Sequence, residues 1–300
     1  METVGFIGLG KMGIAMATRL LETGVPLTVW NRSAEKADGL VANGAKFAPS
    51  VSELVDSADL IISMLGNDTV TEEIYTGADG ILSRPISGKL FIDMSTLRPS
   101  TVAFLAEELL AKDACFVDAP VSGTVGPAEQ GQLMVLCGAS NEDLERARPI
   151  LQRMSRRIVH AGPVGLGSLL KLVVNLPLAV YWESLAEAAC LGTSGGLSLE
   201  LILETIQDSS AALAVLPLKT PYLLGQAGTV AFDVTGMQKD LNSILQTGLI
   251  HNLPMPATSG ALSMYDAAVA AGLGDDDAVK IVHYLIEQSN STDNQNEDLN

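Results

Sequence analysis

The chain has 300 residues, 47% of them hydrophobic, and a formal net charge of −17. That is apolar material for a substantial core, and so acidic a balance argues against nucleic acid as a partner. Three widely spaced cysteines, Cys115, Cys137 and Cys190, form no C-x-x-C pair, which argues against a disulfide framework or zinc site and suits a reducing cytoplasm.

Val4 to Ile7 reads as a strand that breaks into Gly8-Leu9-Gly10-Lys11-Met12-Gly13, and Ile14 to Glu22 then has helical spacing. Strand, glycine turn and helix, in that order, are what a dinucleotide pyrophosphate requires. Gly8 permits the tight turn, Gly10 lets the backbone approach the phosphates, and Gly13 lets helix and strand pack closely. The helix N-terminus then offers N–H groups and a positive dipole end to the anion. A strand starting at Val4 leaves no stretch expected to act as a signal peptide. No apolar run reaches the length and purity expected of a membrane span.

The second strand, Leu27 to Trp30, ends in Asn31-Arg32-Ser33, with Lys36 one turn later. An NAD-type fold usually places an acid here to hold the ribose 2′-hydroxyl. This chain places a guanidinium between two hydrogen-bonding side chains instead. Arg32 can fork onto a 2′-phosphate and stack on adenine, and although an ordinary solvated arginine is the bland reading, its position after the second strand favours NADP(H) over NAD(H).

Ser50-x-x-Glu53 reads as a capping box, and Asp68 as the cap of the next helix. Between them Asp59 to Leu65 is a buried-type strand whose carboxyl end, Met64-Leu65, is expected to face the cofactor. Leu90 to Met94 is followed by Ser95-Thr96 and by Pro99, placed to begin a helix. Ala114 to Asp118 leads into Ala119-Pro120-Val121-Ser122-Gly123-Thr124. Leu133 to Cys137 and Arg157 to His160 complete the sheet, around a helix capped near Ser140 or Asn141. This alternation predicts an α/β fold with a doubly wound, mainly parallel sheet over residues 1–162.

After Gly162-Pro163-Val164-Gly165 the pattern turns all-helical, which predicts a second domain over 163–289. Leu166 to Thr193 is a long apolar helix in which Pro177 is expected to cause a kink. Further helices are expected at 198–209, 236–251, 257–271 and 275–288. Residues 290–300 are polar and are expected to form a disordered tail. His160, His251 and His283 are scattered, so no metal site is expected, and Asp275-Asp276-Asp277 reads as carboxylates at a helix N-terminus. Lys171 and Asn175, four apart, share one face of the long helix. The residues alone leave two readings of Lys171 open: snorkelling to the surface, or desolvated in a cleft and suited to proton transfer.

Four stretches occur in a telling order: Gly8-Leu9-Gly10-Lys11-Met12-Gly13, Asp118-Ala119-Pro120-Val121-Ser122-Gly123, the Gly-x-Gly-x-x-x-Lys-x-x-x-Asn run from Gly165 to Asn175, and Lys239-Asp240-Leu241. Together they resemble the β-hydroxyacid dehydrogenases, a family that includes 3-hydroxyisobutyrate dehydrogenase and tartronate semialdehyde reductase. With Asn31-Arg32-Ser33 the chain looks closest to the NADPH-dependent glyoxylate/succinic semialdehyde reductases. The resemblance implies a Rossmann domain followed by an all-α domain, and hydride transfer between NADP(H) and a small carboxylate-bearing aldehyde or β-hydroxyacid. It implies a homodimer or homotetramer too, in keeping with the apolar helical half.

At matching positions the resemblance implies that Lys171 donates a proton to the carbonyl oxygen, with Asn175 as an orienting amide. Ser122 and Gly123 would hold the substrate carboxylate, with Thr124 beside them. Thr96 and Lys239 would lie beside the nicotinamide end, Asp240 would orient that neighbourhood, and Phe232 would line the substrate pocket. Thr124 departs from the glycine common there, and a side chain narrows the pocket and disfavours positive φ. An imine reductase and a non-catalytic NADP-binding module are the competing readings. Retention of Lys171 argues against both.

Overall fold

The computed structural model describes the backbone of residues 2–228 and 230–297 and side chains as far as residue 289. Two units make up the chain, Met1–Val173 and Val174–Asn300. The division falls inside the long helix rather than in the Gly162–Gly165 stretch before it. The reason is that the first turns of that helix pack against the sheet of the first unit.

The first unit alternates β1 (Val4–Ile7), α1 (Lys11–Glu22), β2 (Leu27–Trp30), α2 (Asp38–Ala42), β3 (Lys46–Phe47), α3 (Val51–Ser57), β4 (Leu60–Ser63) and α4 (Asp68–Thr76). It continues with β5 (Leu90–Asp93), α5 (Pro99–Leu110), β6 (Cys115–Asp118), β7 (Val121–Ser122), α6 (Val125–Glu129), β8 (Leu133–Gly138), α7 (Asn141–Met154) and β9 (Ser155–Gly162). The strand order is β3-β2-β1-β4-β5-β6-β8-β7, with β9 paired to β8. From β3 to β6 every pairing is parallel, and β8 runs antiparallel to β6 and β7. The β3-β2-β1-β4-β5-β6 order is the doubly wound dinucleotide-binding arrangement that the alternation predicts.

Strand residues alternate between two cores. Phe6, Ile62, Ile92 and Val117 face one, together with Met16 and Leu20 of α1 and Leu144 and Leu151 of α7. Ile7, Ile61, Phe91 and Phe116 face the other, against Leu54 of α3 and Val102, Leu105 and Leu109 of α5. Helices cover both faces, so the strands read as continuous apolar runs. Each such buried side chain contributes about 1.5–3 kcal/mol.

Local details refine the sequence reading. The cap of α4 is Asn67, whose side chain accepts the Val70 N–H at 2.9 Å. Asp68, expected in that role, is the first helical residue and accepts the Arg98 N–H at 2.9 Å. Ser50 does cap α3 through the Glu53 N–H at 3.1 Å, and Ser140 caps α7. The two-residue strands β3 and β7 have too little pattern to be read from sequence.

In the second unit α8 (Leu166–Ser194) continues from the first, followed by α9 (Leu199–Gln207), α10 (Leu216–Leu223), α11 (Val234–Ile250), α12 (Pro256–Ala270) and α13 (Ile281–Glu297). Its core joins Ala179, Trp182, Leu185 and Ala186 of α8 to Met237 and Leu241 of α11 and Tyr265 and Ala268 of α12. Helix α8 runs on through Pro177. It also corrects an expectation, since its length and mean hydropathy of 1.3 over 18 residues match a membrane-crossing helix. Its Ala179, Trp182, Leu185 and Ala186 are buried in this core. Helix α10 escapes the sequence reading because Pro217 and Pro221 interrupt its pattern. Helix α13 continues through 290–297, where a disordered tail is expected, because no glycine or proline stops it. Residues 298–300 of that expected tail lie outside the described residues.

The docking of α8 on the first unit rests on a glycine. A Cβ on Gly167 would stand 2.5 Å from Leu136 O, 2.6 Å from Gly138 N and 2.7 Å from Asp118 O. These are backbone atoms that cannot rotate away. Gly167→Ala is expected to cost on the order of 3 kcal/mol, read as a lower denaturation midpoint. An unchanged midpoint would show that α8 does not depend on this approach.

Candidate active site

At the carboxyl ends of β1, β2 and β4 lies a cleft of about 730 Å³ within the first unit. Gly8 and Gly10 line it from the glycine turn, and Asn31, Arg32, Ser33 and Lys36 from the segment after β2. Met64 and Leu65 complete that set from the end of β4. Gly8 has φ +98°, and a Cβ there would stand 2.3 Å from Met64 O. A Cβ on Gly10 would meet nothing within 4 Å, and one on Gly13 would stand 2.0 Å from Gly8 O. Tight turn, open approach and close helix packing therefore fall where the spacing predicts them.

The N-terminus of α1 carries no side-chain cap and opens beside the cleft. Ser50, Asn67 and Ser140 cap α3, α4 and α7 with side-chain oxygens, whereas α1 begins at Gly10 with no side-chain cap. A helix N-terminus left this way beside a cleft is an anion site. Arg32 and Lys36 add cations to the same cleft, so the residues present fit a phosphorylated dinucleotide.

The remaining residues of the glycine turn and the segment after β2 are placed as follows. Leu9 is wholly buried in the core, so only its backbone can face a ligand. Lys11 is exposed, while Met12 packs on the core below. Asn31 accepts the Leu9 N–H at 2.9 Å and donates to Ser33 O at 3.0 Å. Its carboxamide thus ties the glycine turn to the Arg32 loop, a structural task that the sequence does not announce.

Behind the cleft stands a polar chain that sequence reasoning missed. The Tyr75 hydroxyl lies 2.9 Å from Ser63 Oγ, which donates to Asp93 Oδ2 at 2.5 Å. Ser95 donates to the same carboxylate through its N–H and its hydroxyl, and accepts the Leu65 N–H at 2.8 Å. This chain fixes the ends of β4 and β5, and so the placement of Leu65 and the half-buried Thr96. A charged residue ending an apolar strand, as Asp93 and Asp118 do, was the available signal.

Ser122 lies on β7, and Gly123 after it has φ +136°. Thr124 is extended, at φ −116°. The side chain that departs from the family pattern therefore sits without strain, and the preceding glycine takes the left-handed turn. Lys171, half-buried, lies in the second turn of α8, and Asn175 one turn later is buried. Asn175 Nδ2 donates to Asp240 Oδ2 at 2.6 Å, and Lys239 Nζ lies 3.1 Å from Asp240 Oδ1. Asp240 is 1% exposed, so its carboxylate serves these two side chains and orients the Asn175 amide. Phe232 is half-buried against the helical core.

A family model described as the NAD binding domain of 6-phosphogluconate dehydrogenase matches residues 3–162. A second, described as NAD-binding of NADP-dependent 3-hydroxyisobutyrate dehydrogenase, matches residues 165–285. Glyoxylate/succinic semialdehyde reductase 2 of Arabidopsis thaliana is 31% identical over 283 residues, 94% of this chain and 79% of the relative. The 3-hydroxyisobutyrate dehydrogenase of Pseudomonas aeruginosa is 37% identical over 254 residues, 82% of this chain and 85% of the relative. The solved structure of Mycobacterium tuberculosis 3-hydroxyisobutyrate dehydrogenase with L-serine is similar at a TM-score of 0.83 and 30% identity. That likeness covers 95% of this chain and 99% of the other.

Burial pushes the Asp93 carboxyl up to about 6, against the pull of the Ser63 and Ser95 hydrogen bonds. The folded chain then binds this proton more tightly than the unfolded chain does. The stability it lends is full below the ordinary aspartate value and is lost as pH rises through 6. Between pH 5 and pH 8 the loss should be about 1.4 kcal/mol. Asp93→Asn is expected to show a denaturation free energy that falls less over that range, by this amount. An identical fall in variant and wild type would show that Asp93 ionises as it does in an unfolded chain.

Proposed function

Because the chain belongs to the β-hydroxyacid dehydrogenase family of NAD(P)-dependent oxidoreductases, we propose that it reduces a small carboxylate-bearing aldehyde with NADPH. Glyoxylate, succinic semialdehyde and similar semialdehydes are the substrate class. The observation that carries the cofactor preference is the pair of cations, Arg32 and Lys36, lining the cleft after β2 in a chain of net charge −17. The names of relatives at 31% and 37% identity support the substrate class.

Bound NADP(H) supplies the hydride, and the chain's own residues do the rest. The uncapped α1 N-terminus and the glycine turn hold the pyrophosphate, while Arg32 forks onto the 2′-phosphate. Ser122 and the backbone at Gly123 hold the substrate carboxylate. Lys171 then donates a proton to the carbonyl oxygen, where negative charge builds in the transition state. Asn175, fixed by Asp240, orients the reacting carbonyl.

Two variants test the reading. Arg32→Ala is expected to raise the KM for NADPH about tenfold to a hundredfold, the equivalent of a charged hydrogen bond, while that for NADH changes little. Equal changes for both cofactors would remove Arg32 from phosphate recognition. Lys171→Ala is expected to stay folded and bind NADPH while kcat falls about 10²–10⁴-fold with glyoxylate or succinic semialdehyde. Lys171→Arg should rescue poorly, because a guanidinium does not release its proton at accessible pH. Wild-type turnover in Lys171→Ala would refute the mechanism.

A further inference from the structure

One side chain from a distant element holds the start of α8. Asp118 ends β6 and is 1% exposed. Its Oδ1 accepts the Gly165 N–H at 2.8 Å, and its Oδ2 accepts the Ser168 N–H at 2.6 Å. Gly165 immediately precedes the helix and Ser168 is its third residue. The carboxylate therefore stands where a capping side chain would, supplied through space rather than by the helix's own N-cap. It meets the positive end of a 29-residue helix as well as two N–H donors. The surroundings allow it little movement, since a Cβ on Gly138 would stand 2.2 Å from Asp118 Oδ1.

The two segments that Asp118 joins both carry proposed chemistry. Beyond Asp118 the chain runs through Ala119-Pro120 into β7 and Gly123, the segment read above as the carboxylate loop. Lys171 lies three residues beyond Ser168 on α8. We propose that Asp118 is a positioning residue that caps α8 from the end of β6 and thereby sets Lys171 against the Ser122–Gly123 loop. This rests on the reading of Lys171 as the proton donor. Asp118 is spent on backbone N–H groups, so it acts on the reaction through Lys171.

A double-mutant cycle tests it. Asp118→Asn keeps the shape of the side chain but replaces one acceptor oxygen with an NH2 group and removes the charge. Its kcat is expected to fall about tenfold to a hundredfold, as for a displaced catalytic group, with aldehyde KM and the NADPH dissociation constant within about twofold of wild type. In a Lys171→Ala background the same substitution is expected to cost less than about threefold, because the group it positions is gone. Asp118→Ser, which removes the charge and one acceptor oxygen without adding bulk beside Gly138, is expected to give the same non-additive pattern. It decides the matter alone if Asp118→Asn does not fold.

Equal fractional losses in both backgrounds, or a lost affinity for NADPH, would overturn the proposal and leave the Lys171 reading in place. Wild-type turnover in Lys171→Ala alone would overturn that reading, and the proposal with it.

Discussion

The first unit depends on backbone meeting backbone at places where no side chain can stand. Gly13 packs against Gly8, Gly8 against Met64, and Gly167 against Leu136, Gly138 and Asp118. The first sets the start of α1 on the turn after β1, the second sets that turn on the end of β4, and the third sets the start of α8 on β8 and the end of β6. Helix α1 begins beside the cleft as a consequence, and α8 begins against the sheet with Lys171 in its second turn. A methyl group at any of these points would have to move main chain, and packed main chain yields only at high cost.

Electrostatics follow the same economy. A chain of net charge −17 proposed to bind anions must keep its buried acids occupied and its cations where they act. Asp93 is held by Ser63 and Ser95, and Asp118 by two backbone N–H groups. Asp240 is held by Asn175 and Lys239. Asp277, in the acidic triplet before the last helix, pairs with Lys219, accepts the Ala231 N–H at 3.0 Å and caps the short turn before α13. A buried carboxylate with such partners is tolerable where a bare one would not be. Arg32 and Lys36, by contrast, stand in the cleft, where they can act on a ligand.

What could be read from the sequence was whatever repeats a period or breaks it with glycine. The β1–turn–α1 unit, the alternation of strand and helix, and the change to helices after Gly162 all announce themselves in this way. Through-space partnerships do not. Nothing local in the sequence says that Asp118 caps a helix beginning 48 residues later, or that Asn31 ties the glycine turn to the Arg32 loop. Asn67 and Asp68 are both good caps, and the choice fell to Asn67 because Asp68 was drawn to the Arg98 N–H. Helix α10 carries two prolines, and tertiary packing overrode the propensity that hides it.

The same distinction explains why reaction type is more legible than substrate. The proposed proton transfer needs a lysine, an amide and a carboxylate loop, all set by motif spacing and by glycine-controlled backbone. Substrate choice needs the shape and polarity of a few side chains, and the sequence resemblance singles out Thr124 among them. That threonine sits in extended backbone, after Gly123 has taken the left-handed turn, so its side chain needs no strained φ. It makes no side-chain cap to α6 and is exposed beside Ser122 and Gly123. A hydroxyl placed there can reward a substrate that accepts a hydrogen bond far more than a methyl group could reward an apolar one. Thr124 is therefore where a preference within the proposed class of small anionic aldehydes would be set.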